Sequence, residues 1–141
     1  MQKTLLYRLF KIGKLPKEAL ILIRSEGVLL QDEGCGGSMT WINFTAPGKY
    51  YKWKRIWFSG SIILTKKQFL LFNSSQPIIR VPWNDERISK LDCFLKGDFT
   101  LDIKFDASTF YDGCSGEIEV MFSTPLARSF LEIIEKNTAS H

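Results

Sequence analysis

Histidine is nearly missing from this chain, and the one copy, His141, is its last residue. With nothing to position that imidazole, Ser-His-Asp triads, Cys-His pairs and histidine metal sites are not expected. Cysteine is scarce too. Cys35, Cys93 and Cys114 are an odd number with no CxxC pair, so no disulfide framework is expected and a reducing compartment fits. No run approaches the ~20 apolar residues needed to cross a bilayer. Arg8 and Lys11 interrupt the apolar residues at the N-terminus, so a signal peptide is not expected either. The expectation is a soluble, cytoplasmic protein, with peripheral membrane contact left open.

Acid is missing from two tracts. The first seventeen residues hold five basic groups and no acid, and residues 49–67 hold six and none. The whole chain carries a net charge of +4, unevenly placed. Residues 1–80 have thirteen Lys/Arg against four Asp/Glu, and residues 81–141 have six against eleven. Such a dipolar sequence predicts one basic face, with anionic lipid, nucleic acid or an acidic protein as candidate partners.

What is present in quantity is aromatic and branched apolar residues, eleven Phe, four Trp and four Tyr among 141. One domain with a bulky core, rich in strands, is expected. Residues 56–72, IWFSGSIILTKKQFLLF, read as a hairpin turning at Lys66-Lys67. Ahead of it, residues 1–15 place Leu5, Leu6, Leu9 and Phe10 on one stripe, which predicts a basic amphipathic helix that packs on the domain or lies on a membrane. Residues 19–30, ALILIRSEGVLL, read as a first strand, and the glycine-rich QDEGCGGS at 31–38 as a hairpin turn before a strand at 39–45. A break at Ala46-Pro47-Gly48 follows, then the basic tract KYYKWKR.

Beyond the hairpin, residues 78–81 form a short strand stopped by Pro82. Phe99, Leu101, Ile103 and Phe105 alternate with polar residues, as do Ile118, Val120 and Phe122, which is the period of half-buried strands. Thr124-Pro125 is a helix start, followed by Leu126, Phe130, Ile133 and Ile134 on one face. The expected fold is mainly β (α+β): about seven antiparallel strands in a barrel, capped by a C-terminal helix, with an extra N-terminal helix. The domain is expected over residues 16–137, with 138–141 a frayed tail.

The succession GVLL, SIILTKKQFLLF, IIRVPWNDERISKL, FTLDIKF and EIEVMFSTPLARSFLEII over residues 19–137 resembles the pleckstrin-homology (PH) superfold. The closest likeness is to its GRAM and bacterial PH-like branch. The resemblance implies a non-catalytic module that binds membrane lipid or a protein. Phosphoinositide-binding members carry K-x(n)-[KR]-x-R across their first hairpin. Here the first hairpin reads as QDEGCGGS, which is acidic and lacks those cations, so specific inositol-phosphate recognition there is not expected.

Chemistry has few other candidates. Asp98, Asp102 and Asp106 share the polar face of one strand, where solvated carboxylates outnumber catalytic ones. Cys35 sits among glycines with no base beside it in sequence. No phosphate loop or calcium loop is present, so no enzyme, cofactor or metal is expected. The candidate lipid- or anion-binding residues are Lys49, Lys52, Trp53, Lys54 and Arg55, with Lys66 and Lys67 at the hairpin tip. Lysine among Trp and Tyr suits an anionic phospholipid surface and also single-stranded nucleic acid. It equally suits a solvated strand edge whose aromatics point into the core. Lipid is preferred over nucleic acid, and a protein partner or self-association is the alternative.

Overall fold

The computed structural model describes residues 17–138. The helix expected over 1–15 and residues 139–141 of the expected tail lie outside them. The order is α1 (Lys17–Glu26), β1 (Val28–Ala46), β2 (Lys49–Thr65), β3 (Gln68–Asn73) and β4 (Gln76–Pro82). A 3-10 turn (Glu86–Lys90), β5 (Asp92–Leu95), β6 (Thr100–Asp106), a second 3-10 turn (Ala107–Thr109), β7 (Ser115–Ser123) and α2 (Ala127–Thr138) complete it. All strand pairs are antiparallel, in one sheet ordered β4-β3-β2-β1-β7-β6-β5. The sheet ends at β4 and β5, which do not pair, so it is open and not a hydrogen-bonded closed barrel.

Two readings of the N-terminal third are corrected. Residues 17–26 are a helix, not part of a first strand. Its apolar residues do look strand-like, but Ile23 is 2% exposed and packs with Ile63, Leu70 and Phe72 on the outer face of β2 and β3, and Leu20 joins them. That packing outweighs local β preference. Gly27, with φ +82°, then ends the helix in the left-handed conformation. Likewise, QDEGCGGS is not a turn but the middle of β1, which runs unbroken in chain direction from Val28 to Ala46. Gly34, at φ +78°, sits where the register with β2 shifts between Glu33 and Cys35, so a glycine there makes a bulge. The first hairpin therefore turns at Pro47-Gly48, and the basic tract starts its second strand.

The alternation holds from Leu101 onward, whereas Phe99, expected on the buried face, lies ahead of β6 and is 53% exposed. Leu101, Ile103, Phe105, Ile118, Val120 and Phe122 are buried against Ile62, Leu64, Phe69 and Leu71 in the main core. The hairpin at Lys66-Lys67 forms as its sequence predicts, and Trp83 donates its indole N–H to the Thr65 carbonyl at 2.8 Å beside it. Gly60 is needed where β2 passes β3, because a Cβ there would lie 2.2 Å from the Phe72 carbonyl oxygen. The α2 helix starts behind the Thr124 hydroxyl, which accepts from the Leu126 amide at 3.1 Å. Phe130 and Ile134 of α2 then pack into the main core.

Ile23→Ala tests whether α1 belongs to the fold. It removes a fully packed side chain and should cost about 2–4 kcal/mol, read as a lower urea midpoint with unchanged slope. An unchanged midpoint would mean that α1 contributes no burial.

Candidate functional site

The first half of β2 has one neighbour. β1 pairs along its whole length, whereas β3 joins only at Gly60–Leu64. Among the described residues, no strand pairs with residues 49–58 on the side away from β1. The basic aromatic tract is thus a sheet edge, with β1 and then β7 beside it on the other side.

Its aromatics do not all turn inward. Trp53 is 59% exposed, Trp57 74% and Tyr50 62%. The Arg55 guanidinium lies between the two indoles, 5.1 Å from the Trp53 ring centroid and 5.8 Å from that of Trp57. It is anchored from below, since its Nε donates to the Thr40 hydroxyl at 2.8 Å. Each such cation–ring contact is worth about 0.5–1 kcal/mol at an exposed site. Lys54 takes other partners, with Nζ 4.5 Å from the Tyr51 ring centroid and 5.9 Å from that of Trp41. Trp41, Phe44 and Tyr51 pack together beside the core, so only part of the tract is a buried aromatic edge. Lys49, Lys52 and Lys54 are exposed.

Lys66 and Lys67 are not brought into this patch. They sit at the other end of β2, and fourteen residues of strand separate Lys52 from Lys66, up to roughly 45 Å. Both are exposed there, over a cavity of about 640 Å³ lined also by Glu26, Gln68, Pro82 and Trp83. Glu26 accepts from Thr65 and Gln68 in that corner, tying α1 to the hairpin.

Strand register extends the patch across the sheet. Trp57, Ser38, Met121, Asp102 and Phe94 stand in one row over β2, β1, β7, β6 and β5. Arg55, Thr40, Glu119, Lys104 and Asp92 form the next. Sequence reasoning puts Asp102 on a wet face, but it is 0% exposed. Asp98 and Asp106 are exposed as expected. Asp102 and Glu119 are diagonal neighbours within hydrogen-bonding reach, and Glu119 is 6% exposed. Two carboxyl groups can bond only when one carries a proton, and as the side chains stand neither Asp102 oxygen has a hydrogen-bond partner. Lys96 Nζ lies 4.0 Å from Asp102 and Lys104 Nζ 3.7 Å from Glu119. Burial first, then the nearby Glu119 carboxyl, push the Asp102 carboxyl up to about 7, against the pull of Lys104 and Lys96.

The remaining candidates are inert or empty of chemistry. Cys35 is 3% exposed, not displayed among its glycines, and burial pushes the Cys93 thiol up to about 12. Among the described residues no cluster of His, Cys, Asp and Glu has the makings of a metal site, and no helix is long and apolar enough to cross a membrane. No family model and no curated protein matches the sequence.

Asp102 makes folding depend on pH. Its folded pKa lies above the unfolded value of about 3.9, so between about pH 4 and 7 the folded state holds more protons than the unfolded one. Stability should fall as pH rises through that window and level off above it. Asp102→Asn should flatten the slope and, at pH 8, be more stable than the native chain by on the order of 2 kcal/mol. Urea midpoints at pH 5 and 8 measure both, and parallel slopes for the two proteins would contradict the account.

Proposed function

We propose that this chain is a non-catalytic PH/GRAM-like binding module, attached peripherally to anionic membrane lipid at the cytoplasmic surface. The observation that carries the reading is Arg55 held between two exposed tryptophans on an edge strand that also carries Lys49, Lys52 and Lys54. Indoles settle at the boundary between headgroup and hydrocarbon, while lysine and arginine are drawn to anionic headgroups. Exposing large aromatic rings beside cations has no use in folding, and it suits a surface that is half apolar and half anionic.

Two features of the fold support the family reading. The strand order and the C-terminal helix agree with the PH-like pattern that the sequence resembles. The first hairpin turns at Pro47-Gly48, so Lys52, Lys54 and Arg55 stand on its second strand. The acidic QDEGCGGS segment is then no argument against an anionic ligand, because it is not the hairpin loop. Lys66 and Lys67 play no part in this contact.

A second reading draws on the same edge. The side of residues 49–58 that β1 leaves unpaired could take a strand from a protein partner or from a second copy. Four positive charges on the edge disfavour self-pairing, and an acidic strand suits it better.

Vesicle flotation distinguishes them. Each basic residue near an anionic surface is worth about 1 kcal/mol. A folded Lys49/Lys52/Lys54/Arg55→Ala variant should therefore partition about a thousandfold less onto phosphatidylglycerol vesicles at low salt, and neither protein should float with phosphatidylcholine. Trp53→Ala/Trp57→Ala should weaken attachment while leaving its salt dependence in place. Absence of flotation by the native chain would move the edge to a protein partner.

A further inference from the structure

The contact surface has a titrating device beneath it. Rows of side chains run from Arg55 through Thr40 to Glu119 and Lys104, and from Trp57 through Ser38 and Met121 to Asp102. Polar groups on this face of the sheet are covered to an unusual degree. Ser38 is 1% exposed, Thr40 0%, Glu119 6% and Asp102 0%. The two carboxyl groups lie side by side with no arginine between them, and the neighbouring lysines stand off at 4.0 and 3.7 Å, longer than a close charge-assisted bond. Such a pair keeps its compact arrangement by holding one proton in common, and losing it leaves two like charges in a covered site.

Resting on the lipid reading above, we infer that the buried Asp102–Glu119 pair regulates that attachment by gaining or losing one shared proton. With the proton in place the pair carries one negative charge, and Lys96 and Lys104 balance it with charge to spare. Lys96, its side chain 61% exposed, is then available to an anionic surface facing Trp57. Loss of the proton adds a second negative charge to the face and draws both lysines down onto the carboxylates. The charged groups facing Asp102 are Glu119 of β7, Lys104 of β6 and Lys96 of the β5–β6 loop. Burial and the Glu119 contact place the change near neutral pH. Because the pair lies under the face and not at its rim, one unit of charge acts within about a Debye length of a bound membrane.

The test is flotation of the full chain with phosphatidylglycerol/phosphatidylcholine vesicles, whose headgroups keep their charge from pH 6 to 8. Attachment should be about fivefold stronger at pH 6 than at pH 8, the effect of one unit charge near such a surface. Asp102→Asn should hold near the pH 6 strength at both pH values. Asp102→Asn leaves His141 unchanged, so the difference between the two proteins isolates the pair. Glu119→Gln is the second variant. An amide donor favours the Asp102 carboxylate, so its weakening should begin at lower pH. Flotation that is equal at both pH values, or an Asp102→Asn protein that follows the native pH dependence, overturns the regulation and leaves the lipid reading standing. No flotation at either pH overturns both.

Discussion

The long β1–β2 hairpin is the constraint on which the rest depends. Both strands are long enough to take different neighbours at their two ends, β3 beside one half of β2 and β7 beside the opposite half of β1, so one half of β2 is buried and the other is an edge. At the buried end, β3 pairs with Gly60–Leu64 on one side and α1 covers Ile63 from outside. At the other end β7 continues the sheet beyond β1, but among the described residues no strand pairs with β2 on its far side, and edge groups there must meet solvent or a partner. Lysine at that edge is the usual protection against aggregation. Tryptophan at 59% and 74% exposure is not, because it restores the stickiness that lysine removes. Solvation of the edge therefore accounts for the charges but leaves the indoles unexplained, whereas a half-apolar, anionic contact accounts for both.

The same geometry separates structure from function along one strand. Residues 60–65 are wholly buried and set the fold. Residues 49–57 are mostly exposed, apart from Tyr51 and Ile56, which pack against the main core, and the half-buried Arg55. Substitutions in the second group can change attachment without unfolding the domain, so the binding reading is separable from stability. Asp102 is the exception across the sheet, since one carboxyl group bears on both folding and surface charge.

Much of the fold was legible in the sequence where period and punctuation agree. The turn at Lys66-Lys67, the break at Pro47-Gly48, the alternation through Leu101, Ile103 and Phe105, and the Thr124-Pro125 helix start all appear where residue chemistry puts them. The failures lie where tertiary contacts overrule local signals. ALILIR reads as a strand because its apolar residues are contiguous, yet the surface offered by Ile63, Leu70 and Phe72 makes a helix of it. QDEGCGGS reads as a turn because glycine serves both turns and bulges, and single-sequence patterns do not tell the two apart. The candidate site was half legible. Charge and aromatic content mark residues 49–55, but the side on which Trp53 and Trp57 emerge depends on register. Asp102 was missed because alternation assigns it to a polar face without saying that Phe94 and Met121 would flank it there.

The most direct test of the central claim uses the indoles themselves. Tryptophan emission would be recorded as anionic vesicles containing bromine-labelled acyl chains are added, for the native chain and for a Trp53→Phe/Trp57→Phe variant that keeps Trp41 and Trp83. If the Trp53–Arg55–Trp57 row is the contact, the native emission shifts to shorter wavelength and is quenched, while the variant's emission stays nearly constant although it still binds. Binding without quenching, or equal quenching in both proteins, would contradict the account and place the contact elsewhere on the domain.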